Sequence, residues 1–358
     1  PGERAVILII ATDRRQARTI FRYARALLTE VAMLKRMVES ERAEEIDLTN
    51  RITIEVGTAN FRAVRGRTLV AMLGDEAAFW PAEDSASPDY EVIDAVRPGM
   101  ATIPSAVMLM ASSPYARKGA LWDAYKRYYG KANAPALVWQ GATRTMNPSV
   151  RQSVIDEAME RDPAAASAEY GAIFRTDVES FVSREAVEAC TTPGLYERPR
   201  ASAQRYYAFA DPSGGSADSF TVAIGHAEGK VGILDAVRER KPPFVPSEVV
   251  AEFAALLKSY GISKVVGDRY AGEWPREAFR GHGITYEASA APKSDLYKDL
   301  LPKLNSGEVD LLDLPRLTTQ LVGLERRTAR GGRDSIDHGP GGHDDLANAV
   351  AGCLVGLV

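Results

Sequence analysis

The chain has 358 residues, enough for more than one hydrophobic core, and its 45% hydrophobic and 26% charged content is that of an ordinary globular protein. A formal net charge of −4 excludes a surface coated throughout in basic groups for nucleic-acid binding, while leaving room for local basic patches. Two cysteines, Cys190 and Cys353, make neither a disulfide framework nor a CxxC metal pair, which points to a reducing compartment; no apolar run reaches a membrane span or resembles a secretory signal.

In chain order, AVILII (residues 5–10) predicts a buried strand, and TDRRQARTIFRYARALL a turn and an amphipathic helix. A domain rarely opens on a central strand, so further chain upstream is expected. TLVAMLGDEAAFW (residues 68–80) predicts a second strand closing on Gly74, Asp75 and Glu76. Acids just past the carboxyl end of a buried strand stand where open α/β sheets bind ligands. In P-loop nucleotide hydrolases the first acid holds Mg²⁺ and the second can polarise the attacking water; a strand that simply stops at a polar turn accounts for the same letters. AVMLMASSP (residues 106–114) ends on Ser112 and Ser113, hydroxyls that could sense a γ-phosphate or only cap the following helix. The P-loop pattern G-x-x-x-x-G-K-[ST] occurs nowhere in the chain. Without its amide nest and lysine, poor ATP turnover is expected.

From residue 147 to 190 the periodicity is helical, with a break at Asp162–Pro163, and a Pro-, Ser-, Thr- and Arg-rich stretch follows that reads as linker. The second half changes character. A strand ends at Asp211, two more strands with short turns can form an antiparallel meander, a helix follows, and a short strand ends at Asp268. Helices and a short DLLDL segment lead to GGHDDLANAVAGC (residues 341–353), where Leu346, Val350 and Leu354 mark the buried face of a last helix. Three antiparallel strands, a helix, a parallel strand and a final acidic helix are the order of the ribonuclease H-like fold.

In that fold Asp211, Asp268 and the Asp344–Asp345 pair converge. An aspartate cap on the last helix needs only one of the pair; converging carboxylates repel unless cations lie between them. Two Mg²⁺ or Mn²⁺ ions about 3.5–4 Å apart would activate water and stabilise the leaving oxygen of a phosphodiester, and oxygen-only ligands favour those metals over zinc. Asp211 would bridge both ions, Asp268 hold one, and Asp344 or Asp345 the other. Neighbouring helix residues point about 100° apart, so one of the two is the primary ligand, and the sequence leaves open which. Asp218 could help hold a metal or cap its turn, and His343 could carry protons or lie idle at the surface. Arg326, Arg327, Arg330 and Arg333 could grip DNA phosphates from a Gly-bearing loop or form a solvated turn.

These segments together resemble the large terminase subunit of tailed bacteriophages, over essentially the whole chain. VRGRTLVAMLGDEAAFW is similar to its Walker B region, with Asp75 and Glu76 in the Mg²⁺ and catalytic-base positions, and MLMASSP to its coupling motif. FADPSGGSADSFTVAIG, VVGDRYAG and GGHDDLANAVAG are similar to its three nuclease motifs, in order. The resemblance implies residues 1–180 as the C-terminal portion of a P-loop (RecA/ASCE-like) ATPase domain lacking Walker A, a linker at 181–204, and a ribonuclease H-like nuclease domain with a mixed sheet at 205–358. It also implies a viral packaging enzyme that cuts concatemeric DNA, using two Mg²⁺ or Mn²⁺ ions, with ATP and Mg²⁺ in the intact parent. Double-stranded DNA, a portal protein and a small terminase subunit are the implied partners, in the host cytoplasm at the procapsid portal, with oligomers formed only there. A ribonuclease H-like recombinase or resolvase, or a non-catalytic packaging scaffold, are the alternatives.

Overall fold

A computed structural model describes residues 4–59, 65–80, 88–216, 218–268, 273–328 and 334–357, and the chain divides into two compact units, Pro1–Val178 and Glu179–Val358. The first is built on strands β1 (Ala5–Ala11), β2 (Val38–Glu41), β3 (Glu45–Leu48), β4 (Ile52–Thr58), β5 (Leu69–Asp75) and β6 (Val107–Ala111), in the spatial order β2-β3-β4-β1-β5-β6. β4, β1, β5 and β6 run parallel, and β3 and β2 extend the β4 edge antiparallel. β1 is central and its two faces enter different cores. Leu8 and Ile10 pack with Leu69, Met72 and Trp80, while Ile9 and Ala11 pack with Ala17, Phe21 and Val56. Burial on both faces is why this strand reads as an unbroken apolar run. β2 to β4 were not legible in the sequence: β2 is a short, charged edge strand with almost no buried face.

A short strand, β7 (Val178–Ser180), lies where one unit gives way to the next along the chain. The second unit has a seven-stranded mixed sheet of β8 (Thr191–Thr192), β9 (Tyr206–Asp211), β10 (Phe220–Glu228), β11 (Val231–Arg240), β12 (Lys264–Gly267), β13 (Thr285–Ala288) and β14 (Val309–Leu312). The spatial order is β13-β12-β9-β10-β11-β14-β8. β9, β10 and β11 form the antiparallel meander, and β12 lies parallel to β9 and β13. This is the ribonuclease H-like order, with β14 and β8 added beyond β11. Along β9 the side chains alternate as a two-residue period requires: Ala208 and Ala210 enter one core, Phe209 the other.

The expected linker at 181–204 is packed structure instead. Phe181, Val182, Val187 and Cys190 are buried in the core of the second unit, helix Arg184–Ala189 crosses the segment, and β8 closes the sheet edge. Its polar residues are used internally: Arg198 pairs with Asp310 at 2.7 Å, and Tyr260 donates to the Arg198 carbonyl at 2.5 Å. The break expected at Asp162–Pro163 is a helix boundary, Asp162 capping helix Pro163–Glu169 through Ala165 N–H. Residues 324–334, expected as a loop, begin as β15 (Leu324–Thr328), which forms an antiparallel hairpin with β16 (Asp334–His338).

The last helix, Asp345–Gly356, approaches β9 unusually closely. A Cβ at Gly352 would come within 2.4 Å of the Phe209 ring, and one at Gly356 within 2.4 Å of the Tyr207 ring. Glycines four residues apart make one bare stripe, and that stripe sets the helix against the sheet. Among the described residues no helix is long and apolar enough to cross a membrane.

Candidate functional site

Parallel pairing of β9 and β12 brings the ends of the two strands side by side, with the Asp268 N–H donating to the Ala210 carbonyl at 3.1 Å. Asp211 is the last residue of β9, and Asp268 follows β12 directly. The close approach of the last helix carries Asp344 and Asp345 to the same place. All four aspartates line one cleft of about 530 Å³, together with Asp218, Lys293, His343 and Asn348.

Asn348 was missed in the sequence, although its spacing could have found it: it lies three residues beyond Asp345, on the same helix face. Its Nδ2 donates to Asp211 Oδ2 at 2.9 Å and to Asp268 Oδ2 at 3.2 Å. One amide thus holds two carboxylates from two strands.

The helix start corrects an expectation. Asp344 occupies the N-cap position, but no side-chain bond from it caps the helix. Gln320 Oε1 does that work, accepting from Leu346 N–H at 2.8 Å and Ala347 N–H at 3.0 Å. The Asp344 carboxylate is taken up elsewhere: Tyr297 donates to Oδ2 at 2.9 Å and Lys293 Nζ at 3.0 Å. Asp345 is held through its backbone, Thr221 Oγ1 donating to its carbonyl at 2.8 Å.

The electrostatics follow from this crowding. Burial, then Asp344 and Asp218, push the Asp345 carboxyl up to about 6. Its Oδ2 is buried with no hydrogen-bond partner among the described residues. Burial also raises Asp211 well above the usual carboxylate range; the Asn348 amide opposes this, and Asp345, Asp268 and Asp344 add to it. A buried carboxylate oxygen without a donor is costly, and a hard divalent cation satisfies it while cancelling the repulsion. The residues present fit such an ion. His343 Nδ1 stands 4.0 Å from both Asp218 Oδ1 and Asp345 Oδ2.

In the first unit Asp75 closes β5, and Gln16, in the first turn of helix Arg14–Glu30, donates to its Oδ2 at 2.8 Å. Glu76 adopts a left-handed backbone at φ 51°, a conformation costly for a residue with a Cβ. Ser112 Oγ lies 3.3 Å from Glu76 Oε2 and also donates to the Ser113 carbonyl at 2.9 Å. Burial, then Asp75, raise the Glu76 carboxyl. Asp75, Glu76, Ser112 and Ser113 therefore form a second polar cluster at adjacent strand ends.

Arg326 and Arg327 lie on β15 and not on a loop. Arg327 donates to the His338 carbonyl at 3.0 Å, and Arg326 lies over the Phe181 ring at 5.5 Å. Arg330 and Arg333 lie outside the described residues.

No protein-family model and no curated protein matches the chain. Among solved structures it is similar to the HK97 bacteriophage large terminase, at 17% identity over 100% of this chain and 85% of that one, with a TM-score of 0.42. It is also similar to the large terminase nuclease from thermophilic phage G20c, at 19% identity over 49% of this chain and 96% of that one, with a TM-score of 0.41. The same nuclease with bound magnesium gives the same values of 19%, 49%, 96% and 0.41.

Proposed function

We propose that the second unit is a divalent-metal-dependent DNA endonuclease, and that the chain is a large terminase subunit whose nuclease cuts concatemeric phage DNA during packaging. The observation that carries this is the cleft itself. Carboxylates from three separate places in the chain, Asp211, Asp268 and the Asp344–Asp345 pair, line one cavity, and Asp345 has a buried oxygen with no hydrogen-bond partner among the described residues.

Asp211, Asp268 and one of the Asp344–Asp345 pair would hold the metal, with two Mg²⁺ or Mn²⁺ ions as the working count. When bound, such ions supply an activated water and charge stabilisation at the scissile phosphate. The chain's own residues do the rest. Asn348 fixes Asp211 and Asp268 in one orientation, so little reorganisation is needed on loading. His343 is within reach of a proton leaving the cleft beside Asp345. Arg326, Arg327, Arg330 and Arg333 would grip DNA phosphates without reading sequence.

In the first unit, Asp75 would hold Mg²⁺ and Glu76 serve as catalytic base in an ATPase, with Ser112 and Ser113 linking the nucleotide to movement. The P-loop that such turnover requires does not occur in these 358 residues. A small terminase subunit and a portal at the procapsid, in the host cytoplasm, are the partners of this reading.

The test is cleavage of linear duplex DNA with Mn²⁺. The wild-type chain cuts, and Asp211→Asn loses at least a hundredfold of that rate while its thermal midpoint does not fall. Undiminished cutting by the variant sinks the assignment. Preference for branched over linear duplex DNA would favour a resolvase instead.

A further inference from the structure

Asp337, His338 and Asp344 offer ligand atoms that all lie within 4.8 Å of one another, the spacing of a metal site. A cation of the chain is already there. Lys293 Nζ donates to Asp337 Oδ1 at 2.7 Å and to Asp344 Oδ2 at 3.0 Å. Lys293 also lines the acidic cleft.

Its position in the fold is unusual for a lysine. It is the first residue of helix Lys293–Ser306, the end where the helix dipole disfavours a positive charge. Two carboxylates from other elements hold it there. Asp344 and Asp345 are adjacent in the chain, yet only Asp344 receives this ammonium. Asp344 also takes the Tyr297 hydroxyl, whereas Asp345 keeps a buried oxygen with no hydrogen-bond partner among the described residues.

We propose that Lys293 is a fixed cation of the cleft, a positioning residue that fills the place of an ion among Asp337, His338 and Asp344 and so directs divalent ions to Asp211, Asp268 and Asp345. This rests on the reading of the cleft as a divalent-metal site. The ammonium neutralises Asp344 in the metal-free protein, so the carboxylate remains structural. It also separates the two acidic groups, which would otherwise compete for the same ions.

The test is calorimetric titration of the full chain with Mn²⁺, comparing wild type, K293M, K293R and D344N. K293M, which removes the charge and keeps the apolar stem, takes up one Mn²⁺ equivalent more than wild type. K293R retains the cation and binds the wild-type number. D344N also binds the wild-type number. An unchanged count in K293M, or a lost equivalent in D344N, overturns the proposal. Should K293M fail to fold, D344N decides alone. A wild-type chain that takes no Mn²⁺ overturns the proposal together with the metal reading. A wild-type chain that binds Mn²⁺ and cuts no DNA sinks only the nuclease, and the D344N count still decides for or against Lys293.

Discussion

Asp345 is buried at the head of a helix with its carboxyl raised from 3.8 to about 6, and that has a sign for stability. Below about pH 4 the group is protonated folded and unfolded alike. Between there and about 6 the folded state holds more protons, so stability falls as pH rises, and the penalty is complete above about 6. In metal-free buffer Asp345→Asn is therefore expected to be more stable than wild type at pH 7, by on the order of 2–3 kcal/mol. The stability-versus-pH curve of the variant should also flatten between pH 4 and 6. Denaturant titrations at pH 4.5 and 7 check this; a variant less stable than wild type at pH 7 contradicts it. The acidic pair was legible because two like charges side by side exceed what a cap requires. Their division of labour was not legible, because it depends on Lys293, Tyr297 and Gln320, which meet the pair only through folding.

Helices and strands place those residues, and here the glycines of the last helix decide. Gly352→Ala puts a methyl group into the Phe209 ring, and overpacking of this kind costs about 1–3 kcal/mol. Because Asp345 and Asn348 ride on the same helix, its Mn²⁺ affinity should fall as well. Gly281→Ala is the control: its Cβ meets nothing within 4 Å, and stability should be unchanged or rise by up to about 1 kcal/mol. Equal losses in the two variants would remove the case for a glycine-set helix position. β1, β5, β6 and the meander were readable because burial writes long apolar or alternating runs. The β15–β16 hairpin was not: LERRT and DSIDH carry few apolar residues, and the glycines between them read as a loop. Nor was the Gln320 cap, which reaches Leu346 and Ala347 of the last helix from 26 and 27 residues upstream.

At the scale of the molecule, two units of different architecture divide the chain. The order of acidic motifs could be read across the second because topology, and not local propensity, gathers them: a strand end, a neighbouring parallel strand end and a helix start. The first unit keeps Asp75 and Glu76 at a strand end, and no P-loop occurs in the sequence. DNA cutting by this chain is accordingly expected to proceed without ATP and to be unchanged on adding it; acceleration by ATP would mean that phosphates are bound by some other device. The most direct measurement is crystallographic. Crystals grown with Mn²⁺, and data collected at the manganese absorption edge, should show anomalous density between Asp211, Asp268 and the Asp344–Asp345 pair. A well-ordered cleft without that density, at Mn²⁺ concentrations that support cleavage, contradicts the account.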